Sequence, residues 1–549
     1  MPNNLKSIVA RANSRLSVQL AATLLAGSGL ASAILGLLRD RLLMSAYYDT
    51  YKTGIDAYTV AFIIPDFMFF LLVSGALSVT FIPVFNERLG KGNRKSAWQL
   101  ASSLINFLAI LTFIASILII IFADPLVSYV VGPGLDPTGH GLAVSLMRVI
   151  AINPFLFAIS SVIASMQQAV GRFFFFALAP MIYNLGIIFG ITVLTGGITI
   201  FGHQIFGGGI MGVALGVIIG SVAQLIISAV GLIGLGFDYE FKIFWKNKGF
   251  RRVLHLLPPR SIDQGIDYFN SIVESNLATR LGEGLVTAYQ RALTLHLMPT
   301  TLIGVAISTA AFPKMTERLG QGRPDLFRKE LQMVLRVIIW LALPAMLIVF
   351  LTRAYLVFFV KNGGDSTIAS ILGVLSIAIL FRSIYQIASR SFYAQQDTKT
   401  PLYISIFTIG LNIVLAIILG RSEASGGLGI IGLAMAQSIV AFVEVAILFG
   451  VMQYRIKNIL DMELLHAVVG MLKAGLLMFV IGYIAVQIFP LEYADKSFFV
   501  VFPKFLAVCL ISGITYLAAS WFLRLNEAMP ILRRVGRMIF RQYRPPGAS

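Results

Sequence analysis

Ser78-Val-Thr-Phe-Ile-Pro-Val-Phe-Asn-Glu-Arg-Leu-Gly-Lys-Gly92 returns 230 positions later as Ser308-Thr-Ala-Ala-Phe-Pro-Lys-Met-Thr-Glu-Arg-Leu-Gly-Gln-Gly322. One piece of architecture has been built twice, and the sequence on either side keeps the register. Ala57-Tyr58 ahead of the first copy matches Ala288-Tyr289 ahead of the second, Gly209-Ile-Met-Gly-Val-Ala214 matches Gly429-Ile-Ile-Gly-Leu-Ala434, and Asn184 pairs with Asn412. The spacing drifts from 230 to 220 residues over these matches, as short loop deletions between equivalent helices would produce.

The chain around these copies is too apolar for water. Of 549 residues 57% are hydrophobic and 12% charged, with mean hydropathy +0.85, whereas soluble domains carry about 25% charged residues. Runs of about 20 apolar residues read as spanning helices. Fourteen are expected, near 17–38, 57–84, 97–123, 141–170, 174–195, 208–236, 261–282, 285–313, 329–352, 368–394, 401–420, 428–454, 466–489 and 498–523. The expected fold is therefore an all-α integral membrane protein with 14 transmembrane helices. Spans 1–6 and 7–12 form the two copies, and an even number of spans in each makes the repeats parallel; spans 13 and 14 have no counterpart. In residues, the division is an N-terminal six-helix lobe 1–236, a basic linker 237–260, a C-terminal six-helix lobe 261–454, helices 13 and 14 over 455–523, and a basic tail 524–549.

A net charge of +18 invites a nucleic-acid partner, but the positions of Lys and Arg argue for membrane topology instead. With the N-terminus inside, the inner segments hold 27 of the 43 basic residues and the outer loops 7. Both termini are therefore expected to be cytoplasmic. The basic stretch Lys242–Arg260 and the tail Arg533–Arg544 are expected to lie against anionic headgroups. In the linker, Lys and Arg alternate with Phe241, Phe244, Trp245 and Phe250, a pattern that fits an interfacial amphipathic helix or a simple basic connection.

Several polar residues sit where lipid would penalise them. Asp263, Asp267, Asn270 and Glu274 fall at about 0°, 40°, 340° and 20° around the seventh span, one narrow face. Three carboxylates turned to hydrocarbon would cost roughly 2.5–3.5 kcal/mol each, so that face is expected to line a water-filled cavity between the repeats. Arg291 lies about two turns into the eighth span, and Arg39-Asp40-Arg41 is expected to close the first. Arginine suits phosphate because its planar fork donates to two oxygens and stays charged; snorkelling to the interface explains Arg39 and Arg41 equally well. Asp66 follows Pro65, and Pro65 and Pro299 are expected to kink their helices.

The lone Cys509 excludes an intramolecular disulfide, and the five His (140, 203, 255, 296, 466) lack ligand spacing. There is no GxxxxGK[ST] loop and no HExxH, so neither a cofactor nor an enzymatic activity is expected. Uphill transport would draw on a gradient or on the membrane potential.

Gly36-Leu-Leu-Arg-Asp40, Asp56-Ala-Tyr-Thr-Val-Ala-Phe62, Ser74-Gly-Ala-Leu-Ser-Val-Thr-Phe-Ile-Pro83, Gly171-Arg-Phe173 and Phe392-Tyr-Ala394 with Asp397-Thr-Lys-Thr-Pro401 together resemble the MurJ (MviN) family of lipid II flippases, in the MATE/MOP superfamily. The resemblance implies a flippase of the bacterial inner membrane, moving a polyprenyl-pyrophosphate-linked peptidoglycan precursor outward by alternating access in a MOP fold. The implied partners are lipid II, membrane lipids and cell-wall synthesis proteins, with no nucleic acid. It implies substrate-binding roles for Arg39 and Arg291 and places Asp40 and Asp56 on family positions. The family's Ser-Arg pair in helix one is here Ser32-Ala33, and its Pro-Asn-Leu-Leu-Arg-Arg is Pro65-Asp-Phe-Met-Phe-Phe70. Ala33, Phe69 and Phe70 thus stand where arginines are usual, and Ala416, one turn after Asn412, stands where some members carry a carboxylate in a proposed sodium site. An exporter of another lipid-linked glycan or of drugs, and a scaffold without transport, are the competing readings.

Overall fold

The computed structural model describes residues 18–74, 80–200, 203–206, 208–492 and 494–529. The elements run α1 Val18–Tyr47, α2 Lys52–Phe69, α3 Ile82–Gly90, α4 Arg94–Pro125, α5 Pro137–Ile150, α6 Asn153–Ala169, α7 Phe174–Thr192, a hairpin of β1 Ile198–Ile200 and β2 His203–Phe206, and α8 Ile210–Val230. They continue as α9 Lys248–Thr279, α10 Leu285–Thr300, α11 Ala306–Gly320, α12 Pro324–Val360, α13 Ser366–Ala394, α14 Lys399–Leu419, α15 Gly429–Arg455, α16 Met462–Ile488 and α17 Phe498–Phe522. Each of the fourteen expected spans is matched by one helix or by two in succession. Among the described residues, twelve of the spans are long and apolar enough to cross a membrane.

Four local readings change. The first helix does not close at Arg39-Asp40-Arg41 but runs on to Tyr47, because Leu43 and Met44 after the charged triplet are buried and continue its apolar face. The second and eighth spans are each interrupted by a π-helical segment, Phe70–Ser74 after Pro65 and Thr301–Val305 after Pro299. A proline removes one ladder donor and crowds the turn before it, so a wide turn nearby relieves the mismatch. The hairpin departs from an otherwise helical chain. The seventh span begins at Lys248 rather than 261, because Asn247 caps it: its side chain accepts from the amides of Gly249 and Phe250 at 2.9 and 3.3 Å.

Residues 237–247 form no amphipathic helix. They are a loop sewn onto the side of α4. The Asn106 side-chain amide donates to the carbonyls of Glu240 and Lys242 at 2.9 and 3.1 Å, Ser102 Oγ accepts from the Glu240 amide and Ser103 Oγ from the Phe244 amide. A loop whose backbone groups find such partners has no need of a helix of its own.

The duplicated stretch takes the same shape twice. In the first copy the amide of Gly92 donates to Leu89 O and that of Asn93 to Arg88 O, both at 3.0 Å; in the second, Gly322 donates to Leu319 O and Arg323 to Arg318 O, also at 3.0 Å. This paired closure ends a helix with one left-handed residue, which is why glycine stands there twice, at φ 73° and 67°. A second pair of equivalents breaks the symmetry. Gly171 (φ 76°) closes α6 in the same manner, whereas the matching turn after α13 uses Gln396 at φ 61°. A side chain in that conformation costs roughly 1–2 kcal/mol, so Gln396→Gly is expected to raise the resistance of the detergent-solubilised protein to thermal unfolding by about 1 kcal/mol, and Gly171→Gln to lower it comparably. Identical melting of wild type and Gln396→Gly would contradict this account.

The Asp397-Thr-Lys-Thr motif next to Gln396 is a helix start. Asp397 accepts from the amides of Lys399 and Thr400, both at 3.0 Å, and from Arg455 at 2.6 Å, while Arg455 also donates to Thr400 Oγ1. Partial burial pushes the Asp397 carboxyl up, but Thr400 and Arg455 outweigh it and hold it at about 2.

The chain gathers into two compact units, Met1–Thr287 and Ala288–Ser549. The first is built around Phe81, Phe85, Leu100, Leu104, Met166 and Phe250, the second around Phe327, Leu331, Ile338, Ile387, Phe392 and Leu448. In the first unit α7 and α8 approach through glycine. A Cβ on Gly186 would stand 2.3 Å from Gly220 Cα, and one on Gly190 would stand 2.6 Å from Gly216 Cα. Glycines at four-residue spacing on both helices bring the backbones into contact where lipid offers no hydrophobic drive. α9 packs with this first unit, against α2 and the π-segments Phe70–Ser74 and Leu126–Val131.

Candidate functional site

In the first unit a guanidinium is built into the apolar frame. Arg39 Nε and Nη2 donate to Asp40 Oδ1 at 3.0 and 2.8 Å, and Nη1 donates to Asn184 Oδ1 on α7 at 3.0 Å. The Asn184 amide in turn donates to Ser32 Oγ, Ser32 O and Pro180 O at 3.2–3.4 Å. Asp40 is 4% exposed, so its charge is tolerable only with the arginine beside it. The Arg39 side chain keeps 26% exposure. Of its five N–H donors, one on each terminal nitrogen has no partner among the described residues. A cation is therefore fixed in orientation with a free two-pronged edge, the shape that suits two phosphate oxygens.

The other expected site residues distribute as follows. Asp56 is 2% exposed and accepts from the amides of Gly284 and Thr287, the latter at 3.2 Å, and from Thr287 Oγ1 at 2.6 Å. It acts as the cap for the chain at residues 284–287. Asp66 is half-buried on α2, with no hydrogen bond or ion pair among the described residues. On α9, Asn270 donates to Glu274 Oε1 at 2.8 Å and Glu274 is 1% exposed. The side chains of Asp263 and Asp267 lie outside the described residues. The end of α9 is tied to the π-segment before α5: Ser275 donates to Val131 O, and Asn276 to Tyr129 O and Val130 O. Arg291 is half-buried on α10, in the second unit.

Where the family pattern has arginines in the second helix, aromatic packing fills the space. Phe70 stacks on Tyr268 of α9 at 4.0 Å, and Phe69 meets Phe157 edge-on at 5.7 Å. Ala33 is exposed on α1.

The second unit holds a polar cluster around Glu444, a residue that the sequence reading passed over. Glu444 on α15, 4% exposed, accepts from Ser405 at 2.9 Å and Thr408 at 3.3 Å of α14, and Arg382 of α13 lies 3.8 Å from it and donates to Gln437 at 3.2 Å. Asn412, the repeat counterpart of Asn184, is buried on the same α14. The signal was present: Glu444 is a carboxylate inside a long apolar run, the argument that singled out Glu274. Asn184 drew notice only as a repeat marker, since an amide carries no charge to flag it.

The family profile described as "Lipid II flippase MurJ" matches residues 51–504. The "Probable lipid II flippase MurJ" of Buchnera aphidicola is 25% identical over 503 residues, covering 89% of this chain and 94% of that protein. The protein of the same name from Bdellovibrio bacteriovorus is 26% identical over 475 residues, covering 84% and 87%. Among solved structures, "Lipid II flippase MurJ, inward closed conformation" superposes with TM-score 0.71 and 25% identity over 91% of this chain and 99% of the other. An inward-facing multidrug resistance MATE transporter of the MOP superfamily superposes at 0.64 with 15% identity, over 78% and 96%, which concerns the fold. With its profile spanning most of the chain and twelve apolar helices of membrane-crossing length among the described residues, the chain is a multi-pass membrane protein and belongs to the lipid II flippase MurJ family.

Proposed function

We propose that this chain flips lipid II, the polyprenyl-pyrophosphate-linked peptidoglycan precursor, from the inner to the outer leaflet of the bacterial plasma membrane by alternating access. The observation that carries the reading is the Arg39 edge: a guanidinium anchored on one side by Asp40 and Asn184 and open on the other, in a chain of this family. Its two remaining donors suit the pyrophosphate. Arg291 serves as the second phosphate ligand, and Asp66 with the Asp263, Asp267, Asn270 and Glu274 face of α9 lines the path of the sugar and peptide. Asp40 acts through Arg39, and Asp56 through the backbone that it caps. The repeat boundary is placed at the linker 237–260, both termini are cytoplasmic, and cell-wall synthesis proteins are the natural recipients of the product.

A second reading has its own observation. Phe70, one of the positions where the resemblance implies arginine, stacks on Tyr268, so the proposed path holds fewer positive charges, and a glycan on the same polyprenyl-pyrophosphate fits it as well. Two assays separate the readings. In a strain depleted of its lipid II flippase, expression of this chain is expected to restore growth. In proteoliposomes, fluorescent lipid II is expected to become accessible in the opposite leaflet at a rate well above that of empty vesicles. Membrane-inserted protein that does neither, yet moves another polyprenyl-pyrophosphate glycan, would establish the second reading instead.

A further inference from the structure

A groove of about 530 Å³ opens on the first unit between α4, α6 and the loop 237–247, away from Arg39 and from the acidic face of α9. Its walls are apolar side chains, among them Ala109 and Phe113 of α4, Ile159 of α6, and Phe237 and Phe241 of the loop. Beyond it α4 continues as a stripe of exposed Ile114, Ile117, Leu118 and Ile121 at helical spacing, the pattern of a helix that faces lipid. The groove is therefore a recess in the lipid-facing wall. Its volume is that of a small-molecule site, and its apolar lining suits a hydrocarbon chain.

The loop at its mouth has the opposite chemistry. Tyr239 and Phe241 line the groove, and the carbonyl of Lys242 is bonded to Asn106, another lining residue. Lys242 Nζ rests 5.6 Å from the Phe244 ring, and Lys242, Lys246, Lys248, Arg251 and Arg252 are all exposed, against Asp238 and Glu240 within the same stretch. Arg252 is engaged with Glu87 at 3.1 Å. Phe241 and Trp245 are 88% and 54% exposed beside these cations, as aromatic side chains are at the headgroup level of a bilayer. Because Asn106, Ser102 and Ser103 hold the loop backbone to α4, the cations stay above the apolar recess. Hydrocarbon below and fixed positive charge above describe one amphiphile.

We propose that this groove binds one anionic phospholipid of the surrounding bilayer, with an acyl chain between α4 and α6 and the phosphate at Lys242 and Lys246. The site is separate from the proposed transport path, so a transport-inactive chain would still bind the lipid.

Tryptophan fluorescence of the full chain reads this directly, since Trp98 packs on Phe237 at 5.3 Å and Trp245 packs on Phe107 at 6.2 Å. Trp521→Phe removes an exposed indole that any lipid would quench. Such protein is reconstituted into phosphatidylcholine vesicles containing increasing fractions of either phosphatidylglycerol or phosphatidylcholine brominated on its chains. Brominated phosphatidylglycerol is expected to quench saturably at a mole fraction about 30-fold lower than brominated phosphatidylcholine. Lys242→Ser with Lys246→Ser is expected to abolish that preference, since two surface cations together supply about 30-fold, while quenching by both lipids persists. Ala109→Phe and, from the opposite wall, Ile159→Phe are each expected to remove the saturable phase for both lipids. Equal quenching by the two lipids in the wild-type background, or saturable quenching that survives both filling variants in monodisperse protein, would overturn the proposal.

Discussion

Replacing Arg39 with alanine is expected to lower lipid II translocation in proteoliposomes by a hundredfold or more and to abolish complementation. Two charge-assisted hydrogen bonds to phosphate are at stake, each contributing about 1.5–3 kcal/mol, and a factor of ten in binding corresponds to about 1.4 kcal/mol. Arg39→Lys is expected to recover little, because an ammonium cannot hold Asp40 and Asn184 on one edge while offering two parallel donors on the other. One complication comes from the pair itself. Removing the guanidinium takes from the buried Asp40 the cation that pairs with it at 2.8 Å, a loss of about 3–5 kcal/mol in comparable pairs, so a collapsed fold would mimic a lost ligand. Arg39→Gln with Asp40→Asn avoids the buried charge. Such a variant is expected to keep a wild-type gel-filtration profile and thermal stability while binding lipid II at least a hundredfold more weakly. Transport at the wild-type rate by Arg39→Ala would remove Arg39 from the mechanism.

Asp56→Ala is expected to damage folding rather than chemistry. The carboxylate satisfies the Gly284 amide, the Thr287 amide and the Thr287 hydroxyl in a region without water access, and stranding buried donors costs about 1–3 kcal/mol each. A combined loss of roughly 3–9 kcal/mol is of the order of a whole domain's stability. The variant is expected to appear mostly as aggregate in detergent. Asp56→Asn retains one acceptor but turns an NH2 group toward a backbone donor, and is expected to fall between the two. Undiminished thermal stability of Asp56→Ala, with transport lost, would instead place the carboxylate in direct contact with cargo.

The comparison of sequence with structure divides along sequence distance. Spans and repeat were legible because hydrophobic runs and local identity depend on neighbours in the chain. The Gly92 and Gly322 turns were implicit in the repeat for the same reason. What escaped depended on partners far away. The loop 237–247 reads as amphipathic by itself, and Asn106, Ser102 and Ser103, more than 130 residues earlier, supply bonds that hold its backbone out of a helix. That Asp56 caps residues 284–287 needs its three donors about 230 residues on, which the sequence around it does not name. Arg39 was identified through its motif, but the role of Asn184 in holding it needs the contact between α1 and α7. Glu444 needed no distant partner to be noticed, only the same rule applied evenly.

The wide turns of the two copies keep nearly the same place in the repeat. Phe70–Ser74 and Thr301–Val305 start 231 residues apart, in register with the duplicated stretch, while Pro65 and Pro299 are 234 apart and precede their turns by five and two residues. The irregularity thus kept its address while the prolines beside it did not. A wide turn can thus relieve a proline at more than one distance, five residues in one copy and two in the other.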